Sequence, residues 1–480
     1  MENNEKKPGR DSLLLMIREG RRMTFGQQLK LTAVLAMPAI LAQLSAIIMQ
    51  YIDAAMVGSL GKEPSAAIGL MATSTWLFWG LCTAVGTGFS VQVAHRLGAS
   101  DIDGARSVLR QAMTVCLIFS VVLASVGVAI SGALPRWLGG GEAILADAST
   151  YFLIFICSLP ALQICFLSGA MLRCSGNTFF PGMLNVAMCV LDVIFNFFLI
   201  YPTRELSVGE YTFAMPGAGL GIAGAALGTG LAELVACLIM TRYLWRRNPE
   251  LNLRGTRGSF RPRRQVLRQA FRIGAPLAGE HSLMCGAQVL ITTIVAPLGF
   301  TAIAANGFAV TAESLCYMPG YGIAEAATTL VGQSLGAARR RLARSFAYIT
   351  VGSGVVIMTI MGVIMYFGAP MMMGIITPVA DIRELGVEIL RIEAFAEPMF
   401  AAAIVACGVF IGAGDTLVPS GMNLASIWGV RLTAAALLAP TMGLRGVWIA
   451  MAVELTFRGA IFLWRLFTPA WERKISESKL

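Results

Sequence analysis

The sequence predicts an all-α polytopic membrane protein in which twelve transmembrane helices form two six-helix parallel repeats. Three observations predict this class. The 480 residues are 56% hydrophobic and only 13% charged, whereas soluble domains are about 25% charged. The mean hydropathy is +0.71, and apolar runs of about 20 residues, the length that crosses a bilayer, recur along the chain. A long internal repeat divides these runs into two equal sets.

The twelve predicted spans follow one another with short polar connections. They lie at 31–56, 66–93, 108–130, 148–171, 180–201, 219–241, 273–296, 303–331, 345–368, 390–411, 418–439 and 446–467. Basic residues are concentrated on one side of them: 29 of the 37 Lys and Arg fall in, or within three residues of, the N-terminal segment, the loops after even-numbered spans and the C-terminal tail. Because such residues favour the cytoplasm, both termini are predicted to be cytoplasmic. The net charge of +10 therefore indicates membrane orientation and not nucleic-acid binding.

The stretch Thr241–Arg272 separates the two sets of spans. It holds ten arginines and cannot cross a hydrocarbon core. The predicted organisation is a cytoplasmic N-terminal segment (1–30), an N-lobe (31–241), a basic cytoplasmic linker (242–272), a C-lobe (273–467) and a cytoplasmic tail (468–480).

The two sets of spans are copies of one another. Pro38 and Pro276 lie in similar apolar contexts 238 residues apart. The same offset relates AAIGL at 66–70 to AANGF at 304–308, RLGA at 96–99 to SLGA at 334–337, and SGNTFFP at 175–181 to AGDTLVP at 413–419. Since each copy has six spans, both enter the membrane in the same orientation, and a pseudo-twofold axis should run along the membrane normal. This arrangement, with a cleft between two bundles, is typical of a transporter.

Metal and enzyme chemistry have little support in the sequence. The ten cysteines are scattered through apolar segments without a CxxC pair, and the two histidines belong to no metal-binding spacing. We therefore expect free buried thiols, no metal site and no cofactor. A membrane-embedded enzyme would need a catalytic cluster such as paired His and Asp in a loop, and none is present.

Several motifs together resemble the multidrug and toxic compound extrusion (MATE) family. They are PAILAQ…D…VGSLG in span 1, the LGA turn before span 3, the GNT and GDT turns before spans 5 and 11, and MPGYGIAEAATTLVGQSLGA in span 8. The resemblance covers nearly the whole chain. It implies a two-lobed antiporter of the bacterial inner membrane that expels organic cations or amphipathic drugs in exchange for protons, with sodium left open. We expect the protein to act as a monomer among membrane lipids.

Ionisable residues present in only one repeat are the best functional candidates, because the scaffold does not require them. A charge within a span costs about 2.5–3.5 kcal/mol on insertion scales. Asp53 of span 1 corresponds to Ile291, and the resemblance implies that it couples transport to a cation. Asp192 and Asn196 of span 5 correspond to Val430 and Ala434. Four residues apart, they share a helix face.

The two aspartates are predicted to meet inside the N-lobe. Together they could share a proton, or bind a sodium ion at Asp53 and Asp192. Some members of the resembled family carry Asn-x-x-x-Asp in span 5, and this chain has the reverse order. A structural polar residue satisfied by its neighbours is the alternative for each aspartate. Pro38 is the predicted hinge, although its repeat partner Pro276 makes a purely architectural bend an equal alternative.

Substrate-binding candidates are polar residues near the predicted cleft: Glu280, Thr229, Glu313 and Glu325. Glu280 could instead pair with His281 or an arginine. Glu393 and Glu397 are expected near the outer end of span 10, where solvation is easy, and Glu454 and Arg458 are expected to form a local ion pair. A lipid-linked saccharide flippase on a related scaffold is the alternative function. It would need an arginine-rich cleft to bind pyrophosphate, whereas only Arg431 and Arg458 lie more than three residues from the end of a span.

Overall fold

The computed structural model describes residues 10–208 and 211–472, and these are almost wholly helical. The elements of the first half follow in this order: α1 (Arg10–Arg18), α2 (Phe25–Gly58), α3 (Lys62–Gly98), α4 (Ile102–Ile130), α5 (Leu134–Trp137), α6 (Glu142–Cys174), α7 (Phe179–Ile200), β1 (Pro202–Val208), β2 (Tyr211–Ala218) and α8 (Gly221–Arg246). The two strands pair antiparallel and form the connection between predicted spans 5 and 6.

The second half begins after the basic linker. Its elements are α9 (Arg264–Val295), a 3-10 turn (Ala296–Leu298), α10 (Phe300–Gly336), α11 (Arg340–Ile376), α12 (Ala380–Ala394), α13 (Glu397–Gly412), α14 (Leu417–Leu424), a π-helical segment (Ala425–Arg431), α15 (Leu432–Met442) and α16 (Leu444–Phe467). We call α2–α8 the N-half and α9–α16 the C-half.

The number of membrane spans is ten or eleven by length and composition. Within the described residues, ten helices are long and apolar enough to cross a membrane, and an eleventh is obtained if α12 and α13 form one bent span. The predicted span at 303–331 coincides with α10, which has 37 residues but is not among the ten. Many residues of α10 are buried by other helices, so it needs less apolar surface than a helix that faces lipid. The number twelve stays a prediction.

The two halves meet through close helix contacts that require small residues. α2 packs against α10, and α3 packs against α9. A Cβ atom on Gly88 would lie 2.5 Å from the carbonyl oxygen of Ala270, and one on Gly322 would lie 2.6 Å from the backbone nitrogen of Ile40. Glycines at these positions let the backbones approach, as in other membrane helix pairs. The contact between the halves therefore depends on positions without side chains.

Span 10, predicted to be continuous over 390–411, is broken. α12 and α13 meet at an angle of 59°. Pro398 lies in the first turn of α13. It has no N–H for the carbonyl of Ala394, and its ring clashes with that carbonyl, so the helix ends there. A second irregularity, the π-helical segment that ends at Arg431, interrupts predicted span 11. Such segments are frequent at functional sites.

The predicted polar segment 1–30 contributes to the hydrophobic core. Leu13 and Ile17 of α1 are fully buried and pack with Leu342 and Phe346 of α11. α1 lies beside the linker at 247–263 and the turn at 337–339, and we call these three segments the basic face. The ends of the predicted N-terminal segment and tail, residues 1–9 and 473–480, lie outside the described residues.

Gly88 provides a test of the contact between the halves. We expect Gly88→Val to lower the thermal denaturation midpoint in detergent, because its side chain would meet the Ala270 carbonyl and overpacking costs about 1–3 kcal/mol. Gly69→Val is the matched control, since Gly69 lies in the same helix with no atom within 4 Å of its Cβ position. Equal destabilisation by both variants would show that helix propensity, and not the contact, determines the effect.

Candidate functional site

Asp53, Asp192 and Asn196 form a cluster in the N-half, in which Asp53 is half-buried and the other two residues are buried. The side-chain amide nitrogen of Asn196 donates one hydrogen bond to Asp53 Oδ1 at 2.8 Å and another to Asp192 Oδ2 at 3.1 Å. Asp192 and Asn196 are 0% exposed. One amide group therefore bridges two carboxylates from different helices, α2 and α7. The structure brings together the two aspartates that were expected to meet, with Asn196 between them.

The local helix geometry explains this cluster. Asp192 and Asn196 lie one turn apart on α7, which packs against both α2 and α8. Gly228 of α8 allows the closest approach, because a Cβ there would lie 2.0 Å from Asn196 Oδ1. Asp192 Oδ1 and Asn196 Oδ1 have no hydrogen-bond partner among the described residues. Buried acceptors of this kind can be satisfied by a proton on a carboxylate or by a bound cation.

Two residues of α8 extend the cluster. The Thr229 hydroxyl donates to the Ala225 carbonyl at 3.2 Å, and its side chain interacts with Asp192. Glu233, one turn further along α8, interacts electrostatically with Asp192 and was missed in the sequence. The rule that selected Asp53 would have found it, since the residue that matches Glu233 in the second repeat is Leu455.

Glu280 occupies a different environment in the C-half. Its carboxylate accepts hydrogen bonds from the Ser420 hydroxyl at 2.6 Å and the Asn423 amide at 2.7 Å. Within the described residues it forms no ion pair with an arginine. The ring of its neighbour His281 lies against Gly80 of the N-half. Glu280 is thus held by neutral donors of α14 close to the contact between the halves.

A second group of buried acids surrounds the break in span 10. Glu393 and Glu397 are 0% exposed, and none of their four carboxylate oxygens has a hydrogen-bond partner among the described residues. The expectation of easy solvation was therefore wrong, because these residues end α12 and begin α13 inside the C-half. Both interact electrostatically with Glu313 of α10, and Arg431 is the nearby cation for Glu393.

Two other acids form ion pairs. The expected pair of Glu454 and Arg458 is confirmed, with 2.7 Å between Nε and Oε1. Glu325 accepts a hydrogen bond from the Gln43 amide at 3.3 Å and lies 3.4 Å from Arg173 Nε. Its partners therefore come from α2 and α6, across the contact between the halves.

No group of three or more His, Cys, Asp or Glu in the described part of the chain is arranged to hold a metal ion.

The fold and these sites define a polytopic helical membrane protein with several buried carboxylates at and beside the contact between two halves. The MatE family model matches it twice, at residues 38–198 and 276–437. The chain therefore belongs to the MatE family. The two matches start 238 residues apart, the offset of the internal repeat. Membership of this transporter family supports the expectation that the chain is not an enzyme.

Curated relatives are distant in sequence but similar in length. The chain is 25% identical over 448 residues to the probable multidrug resistance protein NorM of Thermotoga maritima, covering 92% of each chain. It is 27% identical over 434 residues to the protein of the same name from Pseudomonas aeruginosa, covering 88% of this chain and 86% of that one.

Solved structures share the fold. A MATE structure in complex with MaL6 has a TM-score of 0.85 at 21% identity, with 96% of this chain and 99% of that chain covered. The outward-facing conformation of a multidrug resistance MATE family transporter of the MOP superfamily has a TM-score of 0.85 at 20% identity and covers 97% of this chain and 98% of that chain.

The ion pair of Glu454 and Arg458 offers a stability test. We expect Glu454→Leu to lower the free energy of unfolding by about 3–5 kcal/mol, because it leaves a buried guanidinium without its carboxylate. The double variant Glu454→Leu/Arg458→Met should recover most of this loss, since it removes both charges. Thermal denaturation in detergent measures both. A double variant as unstable as the single variant would contradict the account.

Proposed function

We propose that the chain is a secondary active antiporter that exports organic cations or drugs in exchange for protons, with sodium as the alternative coupling ion. The observation that carries the proposal is the bridge from Asn196 to Asp53 and Asp192. The names of the relatives, multidrug resistance proteins, give the substrate class. Export needs no nucleotide, since one charge moving through 100 mV supplies about 2.3 kcal/mol.

The amide bridge suggests how cation binding changes the N-half. Two ionised carboxylates repel each other more strongly in a site that is partly shielded from water than they do in bulk solvent. A proton or sodium ion reduces the net charge and lets α2 and α7 approach, whereas release of the cation favours their separation. Binding of the coupling ion would thus select between two shapes of the N-half. Pro38, which lies within α2, is the proposed hinge of this change.

We assign substrate binding to the polar groups beside the contact between the halves. Glu280 and Glu313 supply negative charge from the C-half, and Thr229 borders the acidic cluster of the N-half. The two halves correspond to the proposed lobes at 31–241 and 273–467, joined by the linker at 242–272. We propose twelve spans in two parallel repeats that rock about the central contact, with both termini in the cytoplasm and the protein in the inner membrane as a monomer.

The flippase alternative is less favoured by the arrangement of buried arginines. Arg458 is engaged by Glu454, and Arg431 lies among Glu313, Glu393 and Glu454. Neither arginine is left without negative neighbours to bind a pyrophosphate group. An acidic interior suits a cationic substrate better.

Asp53→Asn tests the coupling site. In proteoliposomes with an imposed proton gradient, we expect the variant to reduce ethidium efflux by at least about ten-fold, since asparagine neither carries a proton nor supplies a charge for a cation. Efflux is measured under proton and sodium gradients separately.

Glu142→Gln is the control, because the Glu142 side chain is 87% exposed and should not affect transport. Efflux driven by sodium in both wild type and Asp53→Asn would move the coupling site elsewhere, with Glu280 the next candidate. Absence of organic-cation transport under either gradient would favour the flippase function.

A further inference from the structure

The last turn of α6 places the guanidinium of an arginine in the contact between the halves. Arg173 lies in the last turn of α6, and its Nε is 3.4 Å from Glu325 Oε2 of α10. The side chains are only 15% and 29% exposed. Gln43 of α2 binds the other oxygen of Glu325. The pair therefore links the two halves directly.

The backbone at the end of α6 depends on the same contact. The last carbonyl groups of a helix have no partner within it. Here the Gln333 amide donates to the Cys174 carbonyl at 2.6 Å. The Arg173 carbonyl accepts from the Gly176 N–H at 2.8 Å and also from the Thr329 hydroxyl at 3.4 Å. Both side-chain donors belong to α10. α10 thus contacts the end of α6 in two ways: it donates hydrogen bonds to the carbonyls of Arg173 and Cys174, and it supplies a carboxylate for the Arg173 guanidinium.

The helix α1 covers this contact from the basic face. Arg18 binds the carboxylate of Glu250 in the linker and donates to Gln333 Oε1 at 3.4 Å. Leu14 lies against Gly176, just beyond α6. Arg339 donates to the Met16 carbonyl at 2.8 Å. α1 is therefore attached to the N-half, the linker and the C-half at once.

We propose that Arg173 and Glu325 are a gating pair, held closed by Thr329 and Gln333 of α10 and covered by α1. The proposal rests on the proposed function for its meaning, since alternating access requires the halves to separate on each face in turn. Separation at this point breaks one partly hydrated ion pair and the hydrogen bonds that Gln43, Thr329 and Gln333 make between the halves, for which water can substitute. The pair acts by positioning the halves and does not bind the coupling ion. Glu325 thus has a role other than the substrate contact predicted from the sequence.

A native thiol reports the state of this gate. Cys174 is 3% exposed, and its Sγ donates to the Ser90 carbonyl at 3.3 Å. Cys116 is 0% exposed and lies with Cys174 in the core cluster of the N-half, but it lies on α4, away from the gate. The experiment treats the full-length protein in liposomes with N-ethylmaleimide and measures the labelling rates of both thiols by peptide mass spectrometry. The ratio of the two rates separates gate opening from general loosening.

We expect Arg173→Gln and Glu325→Gln each to raise the Cys174 to Cys116 ratio by about ten-fold, as a shift of the gate towards the open state requires. The exchange Arg173→Glu/Glu325→Arg should return the ratio close to wild type, because the two charges change places and still attract each other. Loss of the guanidinium in Arg173→Gln makes a nearby thiolate less stable. Faster labelling in that variant therefore reports exposure and not reactivity.

The proposal is overturned if the single variants leave the ratio unchanged, or if the exchange variant labels as fast as they do. Arg18→Gln tests whether α1 helps to keep the gate closed. We expect it to raise the Cys174 to Cys116 ratio by less than Arg173→Gln does. An unchanged ratio would show that α1 is not part of the gate. No substrate or ion gradient is used. The labelling experiment can therefore refute the gating pair without refuting antiport, and the efflux experiment can refute antiport without refuting the gating pair.

Discussion

The helix α2 connects the acidic cluster of the N-half to the contact with the C-half. Asp53 receives a hydrogen bond from Asn196 of α7. Two residues earlier, the Tyr51 hydroxyl binds the Thr311 carbonyl of α10 and lies 3.0 Å from Ser314 Oγ. Gly322 of α10 lets the backbone of α2 approach closely at Ile40. A shift of α2 that follows a change at Asp53 must therefore disturb its packing on α10. The acidic cluster and the gating pair are attached to opposite parts of one helix pair.

The two halves handle buried charge differently. In the N-half, the carboxylates of Asp53 and Asp192 share one neutral amide, so their net charge depends on a bound cation or proton. In the C-half, Arg458 neutralises Glu454 and Arg431 lies among acids. Arginine keeps its charge over the accessible pH range, so part of this charge balance is fixed. The C-half also holds Glu393 and Glu397, whose carboxylate oxygens have no hydrogen-bond partner among the described residues, so its arginines balance only part of its buried acid.

Most of the scaffold could be predicted because it depends on local pattern. Apolar length located the spans, and the repeat identified Asp53, Asp192 and Glu280 as residues that the scaffold does not require. The break before Pro398 could not be predicted in this way, since Pro38, Pro276 and Pro319 lie inside continuous helices. Whether a proline bends or ends a helix depends on what packs around it. α1 was missed because a run of five apolar residues in a cationic segment is too short to be a stable helix without tertiary contacts.

Burial, in contrast to position along the chain, decides which acids bear on function. Glu393 and Glu397 are close to the predicted end of a span, yet the bend between α12 and α13 turns them into the C-half, where their oxygens lack partners. Glu325 is central in α10 and yet reaches Arg173 of the other half. Depth estimated from residue number assumes straight, independent helices. In this protein the helices are bent and packed across two halves. The role that we propose for each carboxylate, in coupling, in gating or in a structural ion pair, therefore follows from the groups that the neighbouring helix places beside it.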